Sequence, residues 1–315
     1  MQRLYVIGNG FDIYHGLPTS YHLFKDYLKN NNITSYDNFN DNFYYYNNID
    51  DLWANFEESL SNLDTEKVLD DYSDYLPHFS SDFKDRDIGA FDIEIQNFVN
   101  SITSRLKLSF IEFIKDAANK GGQRKILNLI INDARFISFN YTSTLEKLYS
   151  VNEKDILYIH GNVYNDNEEI ILGHGVDPSE IEFCDYISNM DNNGVFVEDD
   201  WLSCESDLTN MAYNDGSSTL REYYLSSFKN TEKILSDNEE FFKSLYNIEE
   251  VYVLGHSLSD VDLPYFNRLV KSLPRSTKWM VSYYTKEEKT ANFFKVVDLG
   301  VEEDNIEMIT INNLK

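Results

Sequence analysis

At 315 residues, the chain is long enough to bury a substantial core, either as one α/β domain or as a core domain with helical additions. Its 54 acidic side chains outnumber its 27 lysines and arginines, which gives a formal net charge of −27. A surface with this charge repels a phosphate backbone, so direct nucleic-acid binding is disfavoured. The acidic residues are spread along the chain, a pattern typical of solvated surfaces, and no metal cofactor is expected.

The cysteine content and the hydropathy indicate where the protein resides. Only Cys184 and Cys204 occur, without Cys-x-x-Cys spacing, so both are expected to be reduced thiols. No apolar segment is long enough to span a bilayer, and no secretory signal pattern is present. These features predict a cytoplasmic protein without a membrane partner.

Short apolar segments rich in β-branched and aromatic residues recur along the chain and predict buried strands. They cover residues 4–7, 135–139, 156–159, 251–254, 278–284 and 307–311. A helical pattern follows two of the later segments, one ending before Pro274 and the other spanning 286–299 before Gly300. This alternation predicts an α/β fold with a Rossmann-like, mostly parallel, doubly wound sheet.

Two long segments interrupt the alternation, at about residues 38–120 and about residues 178–246. Both contain apolar residues at helical spacing, and neither contains a Gly/Ser-rich or Pro-rich linker. We therefore expect large helical insertions that pack within a single domain over residues 1–315. The Asn- and Tyr-rich stretch 36–48 is expected to form a mobile loop.

Polar or histidine residues stand where four of the predicted strands end, at 8–12, 138–142, 159–162 and 255–260. The carboxyl ends of parallel strands meet at one edge of the sheet, where open α/β sheets bind ligands. Gly8 and Gly10 have the backbone freedom that would let a phosphate approach the main chain, although a tight strand-to-helix turn explains them equally well. The four segments are predicted to converge on one crevice.

Motifs spread over almost the whole chain resemble those of the AbiH-type phage abortive-infection proteins. The motifs are Asn9-Gly10-Phe11-Asp12 with His15, Gly16-Leu17-Pro18-Thr19-Ser20-Tyr21, Trp53-x-x-Phe56-Glu57, Phe139-Asn140-Tyr141-Thr142, Tyr158-Ile159-His160-Gly161-Asn162 and Leu254-Gly255-His256-Ser257-Leu258-Ser259-Asp260-x-Asp262. The resemblance implies a role in anti-phage defence by abortive infection. A phage-derived trigger protein and a homo-oligomer are the partners it suggests.

The same motifs are more distantly similar to sirtuin-like NAD-consuming defence domains, and this similarity implies NAD as ligand or substrate. It assigns the pyrophosphate to Gly8, Asn9 and Gly10, and the adenosine side to Gly255 and Ser257. The remaining residues of the predicted cofactor site are Phe11, Asp12, His15, Thr142, His256 and Asp260. Two of these depart from the sirtuin-like pattern: Thr142 stands where that family has an acid, and Asp12 stands near its serine.

The sirtuin-like similarity implies hydrolysis of the nicotinamide–ribose bond, which would deplete the NAD of the cell. Asn140 and His160 are the predicted catalytic pair, because an amide and an imidazole near the ribose could position water and stabilise a ribosyl cation. His160 could also accept a proton. Each residue has a simpler explanation, since asparagine is a preferred helix N-cap and a histidine before a glycine is common in turns.

Alternative functions remain open at this point. A serine hydrolase is disfavoured, because Ser259 replaces the second glycine of a nucleophile elbow and no histidine follows His256. Metal-dependent hydrolysis is disfavoured because no metal-ligand spacing is present. A non-catalytic sensor that binds NAD or ADP-ribose is the main alternative to the enzyme, since a fold of this kind supports both.

Overall fold

The structure, a computed structural model, describes residues 2–44, 49–77, 84, 88–120, 126–129, 134–165, 169–181 and 201–314. Cys184 and the side chain of Cys204 lie outside the described part, as do residues 45–48 of the expected loop. The chain divides into two compact units. The first comprises Met1–Tyr27, Phe110–Gly175 and Lys229–Lys315, and the second comprises Leu28–Ser109 and Val176–Phe228. The single domain with two insertions stays a prediction.

All six predicted strands form in the first unit, where they build one parallel sheet. Its order is β3-β2-β1-β4-β5-β6, so the chain moves outward in one direction from β1 to β3 and in the other from β4 to β6. The predicted α/β class with a parallel sheet is confirmed. The strands are β1 (Arg3–Ile7), β2 (Ala134–Ser138), β3 (Ile156–Tyr158), β4 (Glu250–Leu254), β5 (Lys278–Ser282) and β6 (Ile306–Ile309).

The α-helices of the described residues are α1 (Asn9–Tyr14), α2 (Tyr21–Asn31), α3 (Ile33–Asn42), α4 (Ile49–Ala54), α5 (Phe56–Ser59), α6 (Thr65–Asp71), α7 (Ala90–Ile102), α8 (Ser104–Asn119), α9 (Thr144–Tyr149), α10 (Trp201–Ser226), α11 (Thr231–Asp237), α12 (Glu239–Lys243), α13 (Leu263–Ser272) and α14 (Lys286–Asp298). Short 3-10 helices span Ser73–Tyr75, Glu153–Asp155, Pro178–Glu180, Asp260–Asp262, Glu303–Asn305 and Ile311–Leu314. The two helices predicted after β4 and β5 are confirmed as α13 and α14. Among the described helices, none combines the length and apolarity needed to cross a bilayer.

Alternate residues of the strands pack into separate cores on the two faces of the sheet. In β1, Leu4 and Val6 join a cluster with side chains of α12, α13 and α14, whereas Tyr5 and Ile7 join a cluster with side chains of α1 and α9. Burial on both faces explains why the strands read as nearly continuous apolar segments. Helices therefore cover both faces of the sheet.

In the second unit, helices from its two chain segments pack together. α7 packs against α10 and α3, and Gly216 of α10 lies so close to Phe91 of α7 that a Cβ would stand 2.4 Å from the ring. Ser35 of α3 donates a hydrogen bond of 2.6 Å to the Ser101 carbonyl. The expected mobile loop at 36–48 is wrong over residues 36–42, which belong to α3.

The strands end in register at the carboxyl edge of the sheet. Ile7 pairs with Ser138 on one side and with Leu254 on the other, and Ser138 pairs with Tyr158. The segments that follow β1, β2, β3 and β4 therefore leave the sheet at the same level. This geometry brings the polar segments at 8–12, 138–142, 159–162 and 255–260 to one edge, as the sequence predicts.

Main-chain contacts join the turns that follow β1 and β4. The Gly8 amide donates to the Leu254 carbonyl at 3.0 Å, and the Gly10 amide donates to the Gly255 carbonyl at 2.8 Å. A Cβ on Gly255 would lie 2.2 Å from the Phe11 nitrogen, and its φ of +67° also disfavours a side chain. These glycines let the two backbones pack closely at the ends of β1 and β4. From these adjacent strands the chain proceeds toward opposite edges of the sheet.

The steric demand at Gly255 can be separated from its dihedral demand. Gly300 also has a positive φ, of +96°, but nothing lies within 4 Å of a Cβ built there. We expect Gly300→Ala to lower the free energy of unfolding by about 1–2 kcal/mol, the cost of a left-handed residue. Gly255→Ala should cost about 1–3 kcal/mol more, because the neighbouring backbone must move. Equal losses in denaturant titrations would contradict the close packing.

Candidate functional site

A small cavity lies at the carboxyl ends of β1 and β2. Its volume of about 40 Å³ is enough for two or three water molecules. Four polar residues of the predicted site, Asn9, Asp12, Asn140 and Thr142, line it together with aromatic rings. The full lining is Asn9, Asp12, Thr19, Tyr21, Phe110, Ile114, Phe139, Asn140, Tyr141 and Thr142.

Asp12 stands in α1 with only 1% of its surface exposed. Its Oδ2 accepts a hydrogen bond of 2.6 Å from the Thr142 hydroxyl, which in turn lies 2.9 Å from the Thr144 hydroxyl. Its Oδ1 has no hydrogen-bond partner in the described part of the chain. Burial raises the pKa of Asp12 to about 6, although the side chains of Thr142, Thr144 and Asn140 act in the opposite direction. The carboxyl group is thus held in place by one oxygen only.

Asn140 follows β2 and is 5% exposed. Neither its Oδ1 nor its Nδ2 has a hydrogen-bond partner among the described residues. Its amide is near enough to lower the pKa of Asp12, but it does not reach hydrogen-bond geometry with that carboxylate. The N-cap alternative has no support, since α9 begins after Ser143 and receives no side-chain capping bond there. Asn140 therefore presents an amide to the cavity.

The predicted phosphate turn is occupied by internal contacts. The amides of Gly8 and Gly10 donate to main-chain carbonyls of the β4 turn, and the Phe11 amide donates to the Gly8 carbonyl at 2.9 Å. The Asn9 side chain donates to the Thr19 carbonyl at 3.1 Å and accepts from its hydroxyl at 2.5 Å. In this conformation these groups hold the turn together, and their role toward a pyrophosphate stays a prediction.

A second polar group forms around Asp262, and we call Asp262, Lys229, His160, His256 and Ser259 the Asp262 cluster. Asp262 Oδ1 lies 3.7 Å from Lys229 Nζ and 3.6 Å from His160 Nε2. Asp262 Oδ2 lies 3.4 Å from His256 Nε2 and accepts from the Ser259 hydroxyl at 3.0 Å. The Lys229 side chain is fully buried. A buried cation, a buried carboxylate and two histidines thus meet beside the same sheet edge.

Asp262 is ionised, in contrast to what burial alone would produce. Burial by itself raises its pKa, but the Lys229 charge, the His256 contact and the His160 charge outweigh it and hold the pKa well below the ordinary range. The Leu258 amide donates to His256 Nδ1 at 2.9 Å. Because Nδ1 accepts this bond, the proton of a neutral His256 is on Nε2, which faces Asp262.

The cavity and the Asp262 cluster are neighbours through aromatic rings. Phe139 and Tyr141 line the cavity, and their ring centroids lie 5.5 Å and 5.9 Å from that of His160. Phe139 also packs edge-on against His256, at 4.4 Å. The structure thus brings four predicted residues, Asn9, Asp12, Asn140 and Thr142, to one cavity. His160 and His256 belong to the adjoining cluster.

Other predicted ligand residues lie away from the cavity. Phe11 packs against His15 at 4.3 Å, and His15 contacts the Phe11 carbonyl and the Tyr149 hydroxyl, each at 2.6 Å. Burial lowers the pKa of His15, which favours the neutral ring. Ser257 is exposed, and the exposed Asp260 carboxylate lies 3.8 Å from Lys295 Nζ. The roles of these residues toward NAD stay predictions.

Asp262 and Lys229 are the functional candidates that the sequence reasoning missed. Asp262 ends the Ser-Leu-Ser-Asp-x-Asp motif, which is the local signal for it, but the sequence predicts its neighbour Asp260 as the ligand residue. Lys229 falls within the stretch 178–246 and carries no local signal. It becomes notable only because the fold buries it beside His174, whose carbonyl accepts from the Lys229 amide at 2.8 Å. Across the described ranges, no three metal-ligating side chains are grouped.

The buried Asp12 carboxyl makes stability depend on pH. The pKa of Asp12 in the folded protein, about 6, exceeds the ordinary value near 3.8. The contribution of Asp12 to folding stability is therefore fully present below about pH 3.8 and is lost as the pH rises through 6. Asp12→Asn should therefore raise the free energy of unfolding by about 2–3 kcal/mol at about pH 8, and change it little at about pH 4. The exposed Asp37→Asn serves as control. Denaturant titrations at both pH values test this, and a pH-independent difference would contradict it.

The Asp262 cluster has the opposite dependence. The lowered pKa of Asp262 gives folding stability that is present above the pKa of an unfolded aspartate, about 4. This stability is lost as the pH falls through the pKa of Asp262 in the folded protein. Asp262→Asn removes the carboxylate beside the buried Lys229 charge and should cost about 3–5 kcal/mol of unfolding free energy at neutral pH. Asp260→Asn, in the same 3-10 turn but exposed, should stay within about 0.5 kcal/mol. Adding Lys229→Met should recover part of the loss, and no recovery would argue against the ion pair.

Comparison with known proteins bears on the identity of this site. The family described as "Bacteriophage abortive infection AbiH" matches residues 4–283, which include β1 apart from Arg3, strands β2 to β5, the cavity and the Asp262 cluster. No curated protein and no solved structure matches the chain. The match spans most of the 315 residues and confirms the resemblance of the motifs. The chain therefore belongs to the AbiH family of bacteriophage abortive-infection proteins.

Proposed function

We propose that this AbiH protein defends the cell by binding NAD at the carboxyl edge of a Rossmann-like sheet and hydrolysing its nicotinamide–ribose bond. Membership of an abortive-infection family supports the defence role. The strand order β3-β2-β1-β4-β5-β6 supports the ligand class, because doubly wound sheets of this order bind dinucleotides where the order reverses. Depletion of NAD would then halt the infected cell before phage are released.

One observation carries the proposal: Asp12 Oδ1 and both amide atoms of Asn140 are buried in the cavity without hydrogen-bond partners in the described part of the chain. Leaving a buried polar atom unsatisfied costs about 1–3 kcal/mol, so folded proteins keep few such atoms. A ligand with hydroxyl and amide groups would satisfy them. The ribose and carboxamide of the nicotinamide half of NAD carry both.

The charge of the cavity indicates which part of NAD it takes. Asp12 is a carboxylate without a cation among the groups that act on its pKa, so it repels phosphate and attracts positive charge. Aromatic rings surround it, with Tyr21 stacked on Phe110 at 6.1 Å and Tyr141 edge-on to Phe110 at 4.9 Å. This environment suits the pyridinium ring and the ribosyl cation that forms as nicotinamide leaves. The pyrophosphate would lie outside this cavity.

In this conformation the cavity is too small for the proposed ligand. A volume of about 40 Å³ does not accommodate a nicotinamide riboside. Tyr21, Phe110 and Ile114 line the cavity on the side of α2 and α8, and these side chains must move before a ligand of that size enters. An enzyme that destroys a central cofactor has to stay silent until infection, and opening of this wall by a phage-derived trigger would supply that control.

A non-catalytic sensor of NAD or ADP-ribose is the second candidate function. The position of His160 favours it, since this residue lies beside Asp262 and does not line the cavity. A sensor would need the unsatisfied polar atoms of Asp12 and Asn140 for binding but no group that activates water. Nicotinamide release distinguishes the two functions.

The test measures NAD and nicotinamide in phage-infected cells that express the protein. The same two compounds are measured after NAD is incubated with the protein purified from those cells. Asn140→Ala should reduce NAD loss by about 100-fold or more, the usual effect of removing a polar group that acts on the transition state. His160→Ala should reduce NAD loss by about 10-fold, because the His160 ring packs against Phe139 and Tyr141, which line the cavity. Asn267→Ala, an exposed asparagine of α13, is the matched control and should leave NAD loss unchanged.

The outcomes separate the alternatives. Nicotinamide release that depends on Asn140 supports hydrolysis at this cavity. Tight binding of NAD or ADP-ribose without nicotinamide release would instead establish the sensor. Equal activity of the Asn140→Ala and Asn267→Ala proteins would contradict the site. A protein that binds neither NAD nor ADP-ribose and causes no NAD loss would contradict the ligand class.

A further inference from the structure

One carboxylate oxygen of Asp12 is held by a hydrogen bond, and the other has no such bond within the described chain. Its Oδ2 is fixed by the Thr142 hydroxyl at 2.6 Å, and Thr142 is itself fixed by Thr144 at 2.9 Å. Its Oδ1 lacks a protein partner in the described chain, although the residue lines the cavity and is 99% buried. A carboxylate held by one oxygen and open at the other can accept a proton without moving.

The surroundings of Asp12 also set its basicity. Burial raises its pKa to about 6 against the effect of its hydroxyl and amide neighbours, which leaves it ionised at neutral pH but more basic than an exposed aspartate. The titratable side chain that faces it from β3 is Tyr158. The Tyr158 hydroxyl donates to Glu146 of α9 at 2.6 Å, so this phenol is a neutral neighbour whose proton is already engaged.

We infer that Asp12 is the catalytic base of the reaction proposed above, taking a proton from the water that attacks the ribose. The inference rests on the proposed function and deepens it by assigning the proton transfer to this residue. It replaces the assignment that the sirtuin-like similarity makes, in which His160 assists the chemistry. His160 lies beside Asp262 and outside the cavity lining, whereas Asp12 and Asn140 share the cavity.

The chemical step balances with water as the only co-reactant. The bond between C1′ of the ribose and the nicotinamide nitrogen breaks, and its electron pair stays on that nitrogen, which loses its positive charge. The water oxygen forms a bond to C1′ while Asp12 Oδ1 takes one of its protons. The products are nicotinamide and ADP-ribose, and the proton later leaves Asp12 for solvent. The Asp12 charge also stabilises the ribosyl cation before water adds.

The experiment compares Asp12→Asn with wild type in NAD hydrolysis and in ADP-ribose binding by calorimetry. Asn keeps an acceptor for Thr142 but cannot take the proton, so hydrolysis should fall by about 100-fold or more, as for loss of a general base. ADP-ribose affinity should fall by no more than about tenfold, since Asn keeps the shape and the Thr142 bond and loses only the charge of the oxygen that meets the ligand. Retained ADP-ribose binding also shows that this variant is folded.

The pH profile gives a readout that a structural role of Asp12 would not change. Wild-type hydrolysis should fall as the pH drops below about 6, by tenfold per pH unit. Thr142→Val removes a hydrogen bond that lowers the pKa of Asp12 and should move this acid limb to higher pH. Thr142→Ser keeps the hydroxyl and should leave the limb in place.

The possible results are distinct. Hydrolysis that survives Asp12→Asn but is lost in Asn140→Ala, or an acid limb that Thr142→Val does not move, overturns the role of Asp12 and leaves the proposed function standing. A wild-type protein from phage-infected cells that binds ADP-ribose but releases no nicotinamide overturns both. Loss of hydrolysis in Asp12→Asn, with binding retained and the limb moved by Thr142→Val, establishes the inference.

Discussion

The close approach of two backbones at the carboxyl edge of the sheet determines how the candidate site is arranged. Gly8 and Gly10 pack against Gly255, and a Cβ at any of the three would collide with neighbouring main chain. The contact anchors the start of α1 against the β4 turn, so that Asp12 is directed toward β2 and its polar segment. The glycine pattern that resembles a phosphate turn thus allows close backbone packing in this fold. The polar side chains that line the cavity with Asp12 include Asn140 and Thr142, which follow the neighbouring strand β2.

Two buried carboxylates at this edge illustrate how environment sets chemical behaviour. Asp262 has Lys229 and two histidines around it, so its charge is compensated and its pKa is low. Asp12 has hydroxyl and amide neighbours, and burial therefore dominates and raises its pKa. Titratable groups whose environments push their pKa values apart are typical of acid–base sites. The first carboxylate suits a structural charge cluster, and the second suits a group that exchanges a proton.

The sheet was largely predictable from sequence because its strands are buried on both faces. Such strands must be short apolar segments rich in β-branched residues, and each of the six segments found in the sequence is a strand. The stretch 36–42 was not predictable by composition. Its asparagines favour turns, but Asn32 caps α3 through a bond from the Ser35 amide, and Phe39 is fully buried, so tertiary packing outweighs local preference.

By itself, the sequence determined the family, the parallel α/β class and the strand ends at which polar residues gather, because motifs and apolar periodicity are local properties of the chain. Only the tertiary structure decided which of those residues meet. Asp262, not Asp260, is the buried acid of its turn, and its partner Lys229 is 33 positions earlier in the chain. Asn140 joins Asp12 in a cavity, while His160 lies beside Asp262. Burial, distance and charge compensation arise between segments far apart in sequence, and no local pattern encodes them.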